Sequence, residues 1–555
     1  MRSSKPRTRA LRVGILSAVA GFAVLAAVVA ADPVHGLSLS SVATANEKAA
    51  SYAPASRLSQ QLQQVVWAQG ATRLENPRGI VDFYGYENDV PSAEDPSLPQ
   101  MLPTPASQTE AIKTEPDKNT YLVFDRGLAG PDAGYDYGTH FLFQGHENAA
   151  TAGTPPAKLG YITRINLDAD AAHRVTLLAT TDTTGAPLAT IDGSTWDPWA
   201  RRLIFTTENQ NAPTYAATAD YPSRVEDVSG ALGRGGYEGV QDDSAGDLWI
   251  VEDIGGAGKA GTTAKRPNSF VYRYVPRHPG DLHHGRLEAL QVLDKAGAPI
   301  TFESQSALMA PDQMELHSYG NRLATRWVVV HDTAVDGDAP FNANLAAKAA
   351  HATPFKRPEN GQFRPGSQFR RFFFDETGDT NATSPENGDP STGAGGTGGW
   401  GDVQELVQSS PSANTGTLEL FYRGDEAHSG FDNVTFLSRD EVTFVEDAGD
   451  TLHTQRDALD SGYVLDITTD YSRGGEPLRW LAEGRDASAT IDAANGGFCK
   501  NDQDNEITGV HVSNGDPSPH GILGARLPHL FHAGWRWFYT QQHGDNPTYE
   551  VLPRG

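Results

Sequence analysis

The chain has 555 residues, with 44 Lys and Arg against 70 Asp and Glu, giving a formal charge of −26 at pH 7. That acid excess excludes nucleic acid as a partner, because neutralising a phosphate backbone takes a basic face, and any phosphate chemistry on such a body needs metals. With 57 Gly, 35 Pro and 38% hydrophobic residues the chain is turn-rich, yet apolar enough to bury a core.

Arg2, Lys5, Arg7, Arg9 and Arg12 precede an uncharged Ala, Val and Leu-rich run at 13–31, which ends on Ala30 and Ala31 before Asp32 and Pro33. This pattern predicts an export signal over residues 1–31, and hence a secreted or cell-surface protein. A retained anchor is the alternative, since such a run also just spans a bilayer. Arg7 and Arg9 are split by Thr8, so no twin-arginine pair is present. The exported body is more acidic still and is expected to be monomeric, without stable membrane association once the leader is removed. Cys499 is the only cysteine, so no intrachain disulfide forms, and stability rests on packing and bound cations.

Residues 32–118 read as a lead-in. Leu58, Leu62, Val65 and Val66 recur three to four apart and predict a helix over 56–66, while 88–119 is a Pro, Ser, Thr and acid-rich loop. From 119 to 555 the chain is a series of short Val, Ile, Phe and Tyr-rich runs bounded by turn residues, such as 120–124, 140–143, 160–165, 174–178, 270–275 and 326–330. Sustained helical periodicity is missing, which makes the class all-β: sandwich, barrel or propeller. Residues 376–399, rich in Gly, Asn, Asp and Thr, read as a surface loop insertion in this catalytic domain.

A loose repeat favours the propeller. Tyr237-Glu238-Gly239-Val240 leads into a strand closed by Glu252-Asp253, and Phe431-Asp432-Asn433-Val434 leads into one closed by Glu446-Asp447. Glu208 and Glu252 lie 44 residues apart, the length of one four-stranded blade. The expectation is a β-propeller of about six blades with long loop insertions and a short N-terminal helical lead-in.

Equivalent blade ends face one channel, so Glu238, Glu252, Asp253, Asp432, Asn433, Glu446 and Asp447 are expected to converge there. Carboxylates that close together need counter-charge. Calcium, which takes six to eight oxygens from carboxylates, amides and water, suits the set. The plainer alternative is that each acid pair is a solvated turn. Arg357-Pro358-Glu359 sets a guanidinium two residues from a carboxylate, so an extended backbone points both to one side, one for an anion and the other for a cation. Glu147, after a strand, and Glu506, at the start of another, are further channel-facing candidates, with His146 and His543. Gly-x-Ser-x-Gly, His-Glu-x-x-His and Gly-Lys-Ser/Thr motifs are absent, and a lone cysteine excludes zinc-thiolate centres.

From about Tyr121 to His543 the chain resembles the PhoX family of secreted bacterial phosphatases. The resemblance is carried by His146-Glu147, by Asp192-Gly193-Ser194-Thr195-Trp196-Asp197-Pro198-Trp199 through Glu208, and by Tyr237-Glu238. It continues through 270–276 with 285–290, Arg357-Pro358-Glu359, Asp432-Asn433, Glu506-Ile507-Thr508-Gly509 and Gln542-His543. It implies a β-propeller whose channel holds iron and calcium and hydrolyses phosphate monoesters. Glu208, Glu238 and Glu359 match the family's metal-binding acids and Arg357 its phosphate-gripping arginine, so Arg357, Glu359 and Glu208 are the residues expected to carry catalysis. Asp192 stands where the family has an iron-ligating Cys, an exchange of thiolate for hard oxygen, and Gly145 stands where it has Asn before His-Glu. Two other readings remain open: a calcium-dependent lactonase-like hydrolase, and a calcium-stabilised binding module or inactive phosphatase relative.

Overall fold

A computed structural model describes residues 38–48, 55–70, 72–76, 83–85, 114–147, 160–301, 311–387, 396–484, 506–542 and 546–555. The leader at 1–31, most of the loop at 88–119, and His543 lie outside them.

The protein is all-β with a few short helices. One antiparallel run begins at Thr120–Val123 and continues through His140–His146, Tyr161–Asn166 and Val175–Ala179, with Leu74–Glu75 added parallel to the last. A second holds Ser194–Asp197, Arg202–Phe205, Tyr215–Ala217 and Val225–Asp227. A nine-stranded sheet runs from Tyr237–Asp242 through Leu248–Glu252, Val271–Pro276 and Gly285–Val292 to Leu323–Asp332. It then returns through Thr415–Arg423, Asp402–Gln408 and Arg371–Glu376 to Gly361–Phe363. The chain goes on through Phe431–Phe436, Glu441–Glu446, Ser461–Asp466 and Leu478–Ala482, then Glu506–Ser513, Arg536–Gln542 and Thr548–Pro553.

The arrangement is propeller-like. Thr120–Val123 lies against Ser194–Asp197, that strand against Tyr237–Asp242, and that in turn against Gly361–Phe363. Phe431–Phe436 and Glu506–Ser513 follow, and the last returns to Thr120–Val123. The inner strands of each sheet are buried on both faces, whereas outer strands such as Leu323–Asp332 and Thr415–Arg423 alternate. Leu248 and Ile250 point into one core cluster while Trp249 and Val251, between them, point into the next. That double burial explains why unbroken apolar runs mark these strands in the sequence.

The helix expected over 56–66 is replaced by extended chain. Arg57–Leu58 pairs with Leu478–Ala482, and Leu62–Ala68 pairs antiparallel with Thr548–Pro553, next to the ring's last strands. The free edge of Thr548–Pro553 offers backbone donors and acceptors along its whole length. An isolated helix of eleven residues is marginal in water, about the shortest that forms at all. Leu62 is buried with Trp537 and Val551, whereas Val65 and Val66 remain exposed. The segment at 376–399 also departs from a surface loop, because most of its described residues are buried. Lys356, itself buried, draws it inward through ion pairs to Asp379 (2.9 Å) and Glu386.

Candidate metal centre

In an antiparallel hairpin the start of the first strand and the end of the second lie side by side. Each innermost hairpin therefore presents two positions at one end of the ring, and acids occupy most of them. Asp117 precedes Thr120–Val123 and Glu147 follows His140–His146. Asp192 precedes Ser194–Asp197 and Glu208 follows Arg202–Phe205. Glu238 lies at the start of Tyr237–Asp242 and Asp253 follows Leu248–Glu252. Glu359 precedes Gly361–Phe363, Asp432 is the second residue of Phe431–Phe436, Asp447 follows Glu441–Glu446, and Glu506 opens Glu506–Ser513.

Their carboxylates converge. Asp117, Asp192 and Glu238 each offer an oxygen within 4.8 Å of the others, as do Glu147, Asp192 and Glu208. The same holds for Glu208, Asp253 and Glu359, and for Glu238, Glu359 and Asp432. Shared members join these sets into one continuous cluster. Gly193 permits the approach, since a Cβ there would lie 1.7 Å from the Glu238 carbonyl oxygen.

Burial together with mutual repulsion raises these acids. Burial and then the neighbouring carboxylates hold Asp192, Glu238, Glu147 and Glu506 well above the ordinary carboxylate range. Asp432 is likewise raised by burial and by Asp117. Burial and Asp253 push Glu208 up to about 8 against the opposing pull of Arg357, and Glu359 is raised by the same forces. Arg357 and Lys118 face the cluster directly, and half-buried Lys265 adds charge near Asp253 and Asp447. Arg357 donates from Nε (2.8 Å) and Nη2 (2.7 Å) to Asp253, and Nη2 lies 3.2 Å from Glu359. Its φ of 60° is left-handed, which bends the chain so that Arg357 and Glu359 reach the same cluster. Lys118, buried, donates to Asn433 Oδ1 (2.7 Å) and the Val510 carbonyl (3.1 Å).

The rim is held by neutral donors. Asn433 Nδ2 donates to Asp432 (2.7 Å) and Thr508 (3.1 Å), Thr508 donates to Asp117 (2.6 Å), and Gln542 donates to Glu147 (2.7 Å). Thr377, where other hairpins carry an acid, donates to Glu359. Asp192 Oδ1 and Asp432 Oδ2 are buried without a hydrogen-bond partner. Hard oxygen donors, crowded, raised and partly orphaned, fit cations such as calcium.

Of the acids singled out in the sequence, Glu147, Asp192, Glu208, Glu238, Asp253, Glu359 and Asp432 are brought together. Asn433 braces Asp432, and Asp447 and Glu506 add to the charge on it. Glu252 and Glu446 are not brought in, because each is the last residue of its strand and alternation turns its side chain into the blade. Glu252 accepts from the Phe270 N–H (3.0 Å), Tyr272 (3.1 Å) and Asn344 (3.0 Å). Glu446 accepts from the Ser429 and Ser461 N–H groups (2.9 Å each) and pairs with Arg456. His146 is a core residue, stacked 4.0 Å from Tyr161 and bonded to Thr163 (2.9 Å), with burial holding it neutral. Gly145 leaves no room for a side chain, since its Cβ would lie 2.0 Å from Ile191. Asp117 and Lys118 were not singled out. Their signal, an acid two to three residues before a first strand, is the one that marks Asp192 and Glu359.

Fold and site together define a propeller-like protein with a carboxylate-ringed channel mouth. Residues 258–517 match the family model of alkaline phosphatase PhoX, a stretch that includes Arg357, Glu359, Asp432 and Glu506. The fold is similar to that of Pseudomonas fluorescens PhoX, solved in complex with vanadate, a transition state analogue. The TM-score is 0.54 at 12% identity, over 93% of this chain and 98% of that one. The resemblance to the PhoX family is thus carried by sequence and by fold. A fungal alcohol oxidase of the AA5 family in complex with copper (10% identity, 78% of this chain and 75% of that, TM-score 0.32) is too distant in shape to carry an argument. The same is true of Sqt1 from Chaetomium thermophilum (9%, 80% and 97%, 0.29). No curated protein sequence matches the chain.

Proposed function

We propose that this chain is an exported, metal-dependent phosphatase that hydrolyses small phosphate monoesters at the channel mouth of a six-bladed propeller. The blade count is supported by the ring of first strands at 120, 194, 237, 361, 431 and 506. It is also supported by the weak seam in the nine-stranded sheet, where Leu323–Asp332 meets its neighbour only over Leu323 to Arg326. The observation that carries the function is Arg357, held at the edge of a carboxylate cluster within the stretch that matches the PhoX model.

Asp192, Glu208, Glu238, Asp253 and Glu359 would hold the ions, with Asp117, Glu147 and Asp432 beside them. Bound cations supply charge neutralisation for an anionic ester and an activated oxygen nucleophile. Calcium is the better fit to this all-oxygen set, and iron would bind here without the thiolate that Asp192 replaces. Asp253 engages Nε and Nη2 of Arg357, which leaves Nη1 to donate to a phosphate oxygen. Lys118 adds a fixed positive charge on the side of Asp432. The carboxylates act as ligands rather than proton carriers, and Gln542, Thr508 and Thr377 hold three of them in place.

The test is turnover of an aryl phosphate by the purified protein, with and without chelator and with calcium or iron restored. Loss on chelation and recovery with the metal support the reading, and full turnover without metal removes it. Calcium retained with no turnover would favour a stabilised, non-catalytic relative, which the Asp192 exchange makes the second reading. A lactonase would lose nothing on Arg357→Ala. N-terminal sequencing of protein recovered from the medium tests export.

A further inference from the structure

His317 follows the short helix Pro311–Leu316, and its ring is buried beside Glu376 and Asp402, which end and begin neighbouring strands. Its Nδ1–H donates to the Gln313 carbonyl (2.9 Å), which orients the ring so that Nε2 faces the two carboxylates. Nε2 lies 3.5 Å from Glu376 Oε1 and 3.5 Å from Asp402 Oδ2. All three residues are 1% exposed or less, and neither His317 Nε2 nor either Asp402 oxygen has a hydrogen-bond partner. Glu376 is aimed by the Lys356 N–H on Oε2 (2.7 Å) and by Gln404 on Oε1 (3.3 Å).

The spacing decides between two arrangements. A charge-assisted N–H···O bond between imidazolium and carboxylate closes to about 2.7–2.9 Å. Ligands on a tetrahedral ion, with bonds of about 2.0–2.2 Å, sit about 3.3–3.6 Å apart. A backbone carbonyl on the far ring nitrogen is the usual support of a metal-ligating histidine. Gly398 packs close to the ring with no side chain of its own, and a Cβ there would lie 2.7 Å from Nε2 and crowd that nitrogen.

We propose that His317 Nε2, Glu376 Oε1 and Asp402 Oδ2 form a second metal site that takes a divalent ion of the zinc class. It shares no residue with the channel acids. One nitrogen and two carboxylate oxygens suit zinc better than calcium. The ion pins the helix and the Gly398 segment to two strands of the adjoining sheet.

The purified full chain, loaded with zinc chloride and calcium chloride and freed of loose ions by gel filtration, is tested by metal counting and zinc X-ray absorption. The expected result is a retained zinc with an imidazole shell, since the described channel acids offer only oxygen. His317→Gln and Asp402→Asn should each lower zinc retention at least tenfold while calcium stays. No retained zinc, zinc without imidazole scattering, or unchanged zinc in His317→Gln overturns the proposal in favour of a plain ion-pair cluster. Should both variants fail to fold, the imidazole shell in the parent protein decides alone.

Discussion

Glu252 and Asp253 are adjacent in the chain and opposite in circumstance, as are Glu446 and Asp447. Glu252 and Glu446 turn into their blades, where backbone N–H groups and side chains meet their oxygens. Asp253 turns to the channel, where it shares a cluster with Glu208 and Glu359 and its main partner is Arg357. Burial is similar on both sides; what differs is crowding by other carboxylates. Each blade acid is held singly by backbone N–H groups and side chains of its own surroundings, although Glu252 Oε1 keeps no hydrogen-bond partner, whereas the channel acids crowd against one another from separate sheets and so call for counter-charge.

Changes on the two sides should therefore fail in different ways. The largest effect is expected from Glu359→Ala, which should lower aryl phosphate turnover by roughly 10²–10⁴-fold, the scale of losing a metal's transition-state stabilisation. The folded signal in circular dichroism should persist. Glu446→Ala should do the reverse. It leaves Arg456 with Asp460 as its remaining carboxylate and leaves two buried N–H groups unpaired, at a cost of about 3 kcal/mol in a denaturant titration, with turnover per folded molecule unchanged. An unfolding midpoint left in place would show that Glu446 is not the structural partner its contacts describe.

The third effect depends on pH. In metal-free protein Glu208 titrates near 8, well above its ordinary value, so the folded state holds a proton that the unfolded chain has released. Stability should then fall as pH rises from about 4.5 to about 8, because folding must take up that proton. Added calcium should reverse the fall, most strongly at the alkaline end, as read by thermal midpoint. A midpoint that rises over this range without metal would contradict the crowding of the acids. The smallest effect, an unfolding midpoint that stays in place, is expected for Arg322→Ala, because Arg322 is exposed and its pair with Glu419 is screened by water.

Much of this was legible in the sequence. The all-β class followed from short apolar runs, and the acids that open one strand and close the next marked the channel mouth by position. Alternation at strand ends was not legible, because one residue of register decides whether Glu252 or Asp253 faces the channel. Residues 56–66 read as helix because spacing reports local preference, while the free edge of Thr548–Pro553 is hundreds of residues away. Asp117 was obscured by the loop that precedes it. His317, Glu376 and Asp402 come from three separate segments, and no spacing in the chain announces them.

Pairing of Leu62–Ala68 with Thr548–Pro553 joins positions as far as 491 residues apart. It works as a clasp. Because every sheet contributes acids to the rim, the cation-holding geometry exists only once the circle has shut, and loop-closure entropy makes that a late event. If the rim binds cations as proposed, ion capture and completion of the fold are one step, and calcium added during refolding should speed the appearance of the finished molecule.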